Sequence, residues 1–290
     1  MEVLVVKKTT NYELYGEEVE KQITDGQLDP SAMDKLQWAH KEHNNTLETL
    51  EGLLQKKNIK FKTIDREELL SAHDPQIPII TVGGDGTILS ASHFLSSGGT
   101  LVGIRSSAAS VGYLCYGNSQ NIDQTLQELI SGKIHTIPVS RLSATVHRAA
   151  SSQTYHSPPI LNDFLFTNKN PAATTRYRIN FRGHEETHRS SGIWISTPTG
   201  STAGIYAAGG EKQPITAQNF QFKVRELFTL GNSPASISHG YFETDCIEIE
   251  NHCRSAILAY DGQHGEQILK YGDLIRFNPA LPINLAVKKS

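Results

Sequence analysis

The chain has 290 residues, enough for two ordinary domains, with 38% apolar and 20% charged side chains, a balance that argues against long disordered tracts. Its formal net charge of -3 gives no general attraction to polyanions, and no run of Lys or Arg supplies a local one, so nucleic-acid binding is set aside. Cys115, Cys246 and Cys253 are too few for a disulfide framework and match no zinc spacing, which points to a reducing, cytoplasmic home.

The opening MEVLVVKKTT carries an apolar run of four, far short of the ~20 a membrane span needs, and lacks the order of a signal peptide. The closing KKS is no peroxisomal address, and no membrane association is expected. Val3 to Val6 reads as a short buried strand. Ser31 to Lys57 reads as a long helix, with Leu36, Leu47, Leu50 and Leu54 on one face. Strands are expected at IKFKTI (59–64), IPIITV (77–82) and LVGI (101–104), with short helices over Ile88 to Leu95 and Asp123 to Ile130. Alternating β and α elements to about residue 130 imply a parallel sheet covered by helices. Beyond it the runs IHTIPV, LSATVH, ILNDFLF, YRINF, GIWIST, CIEIE and AILAY are short, β-rich and separated by Gly, Pro, Asn and Ser. The expected architecture is therefore an α/β domain over residues 1–130 and a β-rich, antiparallel, sandwich-like domain over residues 131–290, with the last strand, LPINLAV, belonging to either.

The glycine loop TVGGDGTILSAS (81–92) follows a strand and opens a helix. Gly83, Gly84 and Gly86 suit backbone at positive φ with N–H groups free to approach a phosphate, and the helix N-terminus favours the same anion. No Lys follows as in a P-loop, and the glycine spacing is not that of a dinucleotide fingerprint. A carboxylate at Asp85 fits poorly in a pure anion cradle and well as the acceptor of a proton from an attacking hydroxyl. A plain Gly-Asp-Gly turn is the competing reading.

A second such loop is STPTGSTAG with trailing AAGG (196–210), where a strand ends in hydroxyls and a small-residue helix, Ala203 to Ala208, begins. An N-cap at Thr202 is the competing reading. Asn162 and Asp163, at the end of an apolar run, suit ribose hydroxyls or a bulge. Asp261 and Gly262 read as a type I′ hairpin turn, with Gln263 a candidate ligand beside it. His40 and His43 lack a third metal ligand, no Gly-x-Ser-x-Gly elbow occurs and no cysteine sits in a nucleophile motif, so hydrolase chemistry has no foothold.

GGDGT (83–87), Asn162–Asp163, STPTGSTAG and Asp261-Gly262-Gln263, in this order, resemble the NAD kinase family over nearly the whole chain. GGDG alone is shared with diacylglycerol and sphingosine kinases; PTGSTA downstream separates the family from them. HKEHNNTLETLEGLL, SVGYLCYGN, NPAATTRYRINF and RSSG look like the plant-type NADH kinase branch.

The resemblance implies a two-domain fold with the active site in the cleft between domains, subunits paired into dimers or tetramers, and phosphorylation of the 2′-hydroxyl of the NAD(H) adenosine ribose by ATP with Mg²⁺ or another divalent cation. By it Asp85 is the base, and Gly83, Gly84, Gly86 and Thr87 hold phosphates. Asn162 and Asp163 take the adenosine side, and Thr202, Ala203, Gly204, Ile205, Tyr206 and Ala207 line its pocket. Arg176 and Arg189 stand near the dinucleotide or the new phosphate. Ser191 occupies a position, near the nicotinamide, where many relatives carry Asp, which implies tolerance of or preference for NADH. His93 stands where relatives often carry Arg, and Arg105 where they carry Asn. A lipid kinase on the same GGDG loop and a non-catalytic NADP(H)-binding sensor are the alternatives.

Overall fold

A computed structural model describes residues 1–69, 71–229, 236–244, 247–262 and 265–289. The chain forms two compact units, one of residues 1–137 with 284–290 and one of residues 138–283.

In the first unit β1 (Glu2–Lys7), α1 (Asn11–Thr24), α2 (Ser31–Lys56), β2 (Lys60–Asp65), β3 (Ile79–Gly83), α3 (Asp85–Ser92), β4 (Thr100–Arg105), β5 (Gly117–Asn118) and α4 (Ile122–Ile130) follow in order. β2, β1, β3 and β4 lie side by side, all parallel. The continuous apolar runs of β1 and β3 are buried throughout, as strands covered on both faces require. Leu50 and Leu54 of α2 and Leu126 and Leu129 of α4 pack with Val5, Ile80, Val82, Val102 and Ile104 into one core. At α1 a capping box secures the first turn: Thr10 Oγ1 accepts from Glu13 N–H, and the Glu13 carboxylate accepts from Thr10 N–H at 2.7 Å.

The second unit holds two antiparallel sheets. β6 (Thr136–His147), β7 (Thr154–His156), β8 (Asp163–Asn168), β9 (Thr175–Phe181), β10 (His184–Ser190), β11 (Gly192–Ser196), the short helix α5 (Gly204–Ala207), β12 (Phe220–Arg225), β13 (His239–Phe242), β14 (Ile247–Asn251), β15 (Ala256–Tyr260), β16 (Gly265–Leu269) and β17 (Leu274–Ala286) make it up. One sheet runs β10-β9-β14-β17-β6-β7, the other β13-β12-β11-β8-β15-β16. Alternate residues of both, among them Phe164, Phe166, Ile193, Phe222, Tyr177, Ile249 and Phe277, close one aromatic-rich core. β17 carries the chain back into the first unit, where Asn284 and Leu285 pair in parallel with Thr100 and Leu101 of β4.

Three local expectations are corrected. The helix after the glycine loop begins at Asp85 rather than Ile88, because Gly84 is already its cap. IHTIPV and LSATVH are one strand, β6. Asp261 and Gly262 do have positive φ, 46° and 73°, but Tyr260 pairs with Gly265, so the turn spans four residues rather than two. Among the described residues no helix is long and apolar enough to cross a membrane.

Candidate active site

In the first unit the Asp85 side chain stands at the start of α3, where the N-terminal partial charge favours an acid. Its two oxygens accept the N–H groups of Tyr113 and Leu114 at 2.9 and 2.8 Å. Each oxygen keeps a further lone pair for a proton. The loop that supplies these donors is itself tied to α2: buried His43 meets Ser106 Oγ at 2.9 Å, Thr46 donates to the Ser106 carbonyl, and Glu42 accepts from Ser107 Oγ and Ala108 N–H. Burial, reinforced by Lys8, pushes the His43 imidazole down to about 4, so it is a neutral structural partner.

The glycines serve a purpose other than positive φ, which none of Gly83, Gly84 and Gly86 has. A Cβ on Gly83 would stand 2.2 Å from Thr87 Oγ1, and one on Gly84 would stand 2.0 Å from Ser110 Oγ. Room for neighbouring side chains is what these positions require. Thr87 is accordingly buried, packed over Gly83. His93 caps the far end of α3, about 12 Å along the axis from Asp85 at 1.5 Å per residue, and is 9% exposed. Next to the loop, burial and the Asp85 charge push the Cys115 thiol up to about 12, which removes it as a nucleophile.

In the second unit β11 ends at Ser196 and a 3-10 turn, Thr199–Thr202, leads into α5. The turn folds onto the start of β8. Thr197 donates through its hydroxyl to the Leu161 carbonyl at 2.5 Å and through its N–H to the Asn162 carbonyl at 2.9 Å. Gly200 is required there, since a Cβ would meet the Asn162 carbonyl oxygen at 2.2 Å. Asp163, 4% exposed, accepts the N–H of Gly204. Burial first, and the neighbouring Asp261 second, push its carboxyl up to about 8. Asp163 Oδ2 and Thr199 Oγ1 are buried without a hydrogen-bond partner, each costing about 1–3 kcal/mol unless something satisfies it. Ala203 and Gly204 are partly exposed, Thr202, Tyr206 and Ala207 exposed, and Ile205 buried.

Arg176 and Arg189 are directly opposite each other across β9 and β10, both exposed. Among the described residues neither has an ion-pair partner. They line, with Ser191, Glu226, Phe228 and Pro171, a cavity of about 280 Å³. Gln263 lies outside the described residues. Sequence reading passed over Asp261 as a turn residue; its carboxylate is 1% exposed and accepts the N–H groups of Leu161 and Asn162. It also passed over Thr199 and the Tyr113–Leu114 backbone, the latter because main-chain donors leave no signature in residue type.

No family model matches the sequence. The chain is 28% identical over 278 residues to a probable NADH kinase of Oryza sativa subsp. japonica, covering 88% of this chain and 84% of that one. It is 30% identical over 196 residues to an NAD kinase of Methanospirillum hungatei, covering 67% and 68%. Its fold matches the crystal structure of yeast NADH kinase complexed with NADH at a TM-score of 0.73 and 19% identity, over 100% of this chain and 84% of that one.

Proposed function

The chain belongs to the NAD kinase family, and from that premise we propose that it transfers the γ-phosphoryl group of ATP to the 2′-hydroxyl of the adenosine ribose of NAD(H), giving NADP(H). One observation carries the reading: a carboxylate at a helix N-terminus, beside two glycines, is held by two backbone N–H donors with a lone pair free on each oxygen.

Asp85 accepts the proton of the ribose hydroxyl as its oxygen bonds to the γ-phosphorus and the bond to the ADP oxygen breaks. The 83–87 turn and the α3 N-terminus face the phosphates. Asn162 and the 199–207 segment line the adenosine pocket, with Asp163 at its floor. A divalent cation would accompany the phosphates. Among the described residues no group of three His, Cys, Asp or Glu is built to hold one, so no step is assigned to it.

Ser191 carries no charge to attract the positively charged oxidised ring, and beside it Arg176 and Arg189, without ion-pair partners among the described residues, outnumber the single carboxylate of Glu226 in the same cavity, which supports use of NADH. The two compact units serve as the domains of the enzyme, working in the cytoplasm as a homodimer or homotetramer. A lipid kinase gains no support, because it has no use for the 196–210 loop; a sensor gains none, because it has no use for Asp85.

The test is NADP(H) formation from ATP, Mg²⁺ and either NAD⁺ or NADH. NADH should be used at least as well as NAD⁺ by kcat/KM. Asp85→Asn should lower kcat by ~10²–10⁴-fold while KM for the dinucleotide changes little. A fully active variant would remove Asp85 as the base.

A further inference from the structure

Asp163 and Asp261 are two carboxylates enclosed in one corner of the second unit, 4% and 1% exposed. Asp261 is fixed as an acceptor: Leu161 N–H reaches Oδ2 at 3.2 Å and Asn162 N–H reaches Oδ1 at 2.7 Å. Its own N–H donates to the Asp163 carbonyl at 3.0 Å. Asp163 receives the Gly204 N–H, while its Oδ2 is buried with no partner.

Around Asp163 the packed neighbours among the described residues offer no compensating charge. β11 places Ser196 opposite Asp163, the 199–202 turn contributes only Thr, Gly and Ser, and α5 contributes the exposed Tyr206. β15 contributes Tyr260, whose hydroxyl lies 3.4 Å from that of Tyr155 on β7. Among the described residues no Lys, Arg or His lends Asp163 a positive charge. A second carboxylate in so enclosed and poorly solvated a corner disfavours the charged form of Asp163. Asp261 has both oxygens engaged by N–H groups, whereas Asp163 Oδ2 has no partner. An orphaned acceptor that gains a proton becomes a donor, and the charge beside it is an acceptor.

We infer that Asp163 is protonated at neutral pH and donates to the Asp261 carboxylate, so that the two form one positioning element setting the Asn162 backbone and the Gly204 amide. The upward push on the Asp163 carboxyl runs in the same direction. This deepens the proposed function and rests on it only where catalysis is concerned; Asp163 then acts through Asn162 and Gly204 rather than by accepting ribose hydroxyls.

A raised folded-state pKa gives stability that is complete below the unfolded value near 4 and is lost progressively as pH rises to about 8. The experiment is thermal unfolding of wild type, Asp163→Asn, Asp163→Ala and Asp261→Asn between about pH 5.5 and about pH 9.5, with KM and kcat for NADH over the same range. Wild-type Tm should fall relative to Asp163→Asn up to about pH 8 and then run parallel to it. Wild-type KM should rise above about pH 8 with a smaller change in kcat, a rise that Asp163→Asn abolishes. Asp163→Asn should unfold at higher temperature than Asp163→Ala, and Asp261→Asn should move the wild-type break to lower pH. A Tm gap between wild type and Asp163→Asn that is constant with pH overturns the inference. If Asp163→Asn does not fold, an unmoved break in Asp261→Asn overturns it. The Tm arm needs no substrate, so a protein that makes no NADP(H) refutes the functional reading while leaving the proton pair to be judged on unfolding alone.

Discussion

A Cβ at position 84 would stand 2.0 Å from Ser110 Oγ, while φ there is -122°, an angle any residue adopts. Gly84→Ala should therefore destabilise by about 1–3 kcal/mol through overcrowding alone. Adding Ser110→Gly to the same chain should recover most of it in urea unfolding; no recovery would place the strain in the backbone. His43 offers a second single-residue test. Its folded-state pKa is depressed to about 4 against 6.5, so the unfolded chain binds the extra proton in that window. Stability present above about pH 6.5 is lost as pH falls toward about 4, by about 3 kcal/mol in all. His43→Gln should remove that acid-side loss, so its urea midpoint should vary less than that of wild type between these pH values. This is the opposite sign to the Asp163 effect, and where the two pH ranges overlap the sign of the change tells the two groups apart.

At the scale of elements, α1 depends on its caps. Its only buried residue is Gly16, and Leu14 and Tyr15 are both about half exposed. With so little apolar surface covered, the Thr10–Glu13 box carries an unusual share of the helix, and Thr10→Ala should cost about 1 kcal/mol, read as a drop in urea midpoint. The same fact explains why periodicity does not announce α1: a helix that buries almost nothing has no apolar stripe to read. Thr10-x-x-Glu13 was its only signature. α2, which buries Leu50 and Leu54, was legible from spacing alone. Likewise β1, β3 and β15 stood out as apolar runs, whereas β10, HEETHRS, pairs among the described residues with β9 alone and leaves most of its side chains in water, so its composition hides it.

Across the whole molecule, the α/β-then-antiparallel texture was readable because parallel strands covered on both faces and sandwich strands bury different patterns. The candidate site was readable only in its side chains. Asp85, Asn162 and the hydroxyl-rich 196–202 loop declared themselves by residue type, while the amides of Tyr113 and Leu114 and the burial of Asp261 depend on chain paths that no local pattern encodes.

β17 sets a schedule for synthesis. Thr100 and Leu101 wait for Asn284 and Leu285 as their partners, more than 180 residues later in translation. Until the ribosome has delivered the whole second unit, that stretch of β4 is an open sheet edge, the kind of surface on which nascent chains stick to one another. A stop or cut just before Asn284 would leave a chain with nearly all of its candidate catalytic groups and a permanently unfinished edge. Loss of yield in such a chain would then be a failure of assembly, and would say nothing about the chemistry.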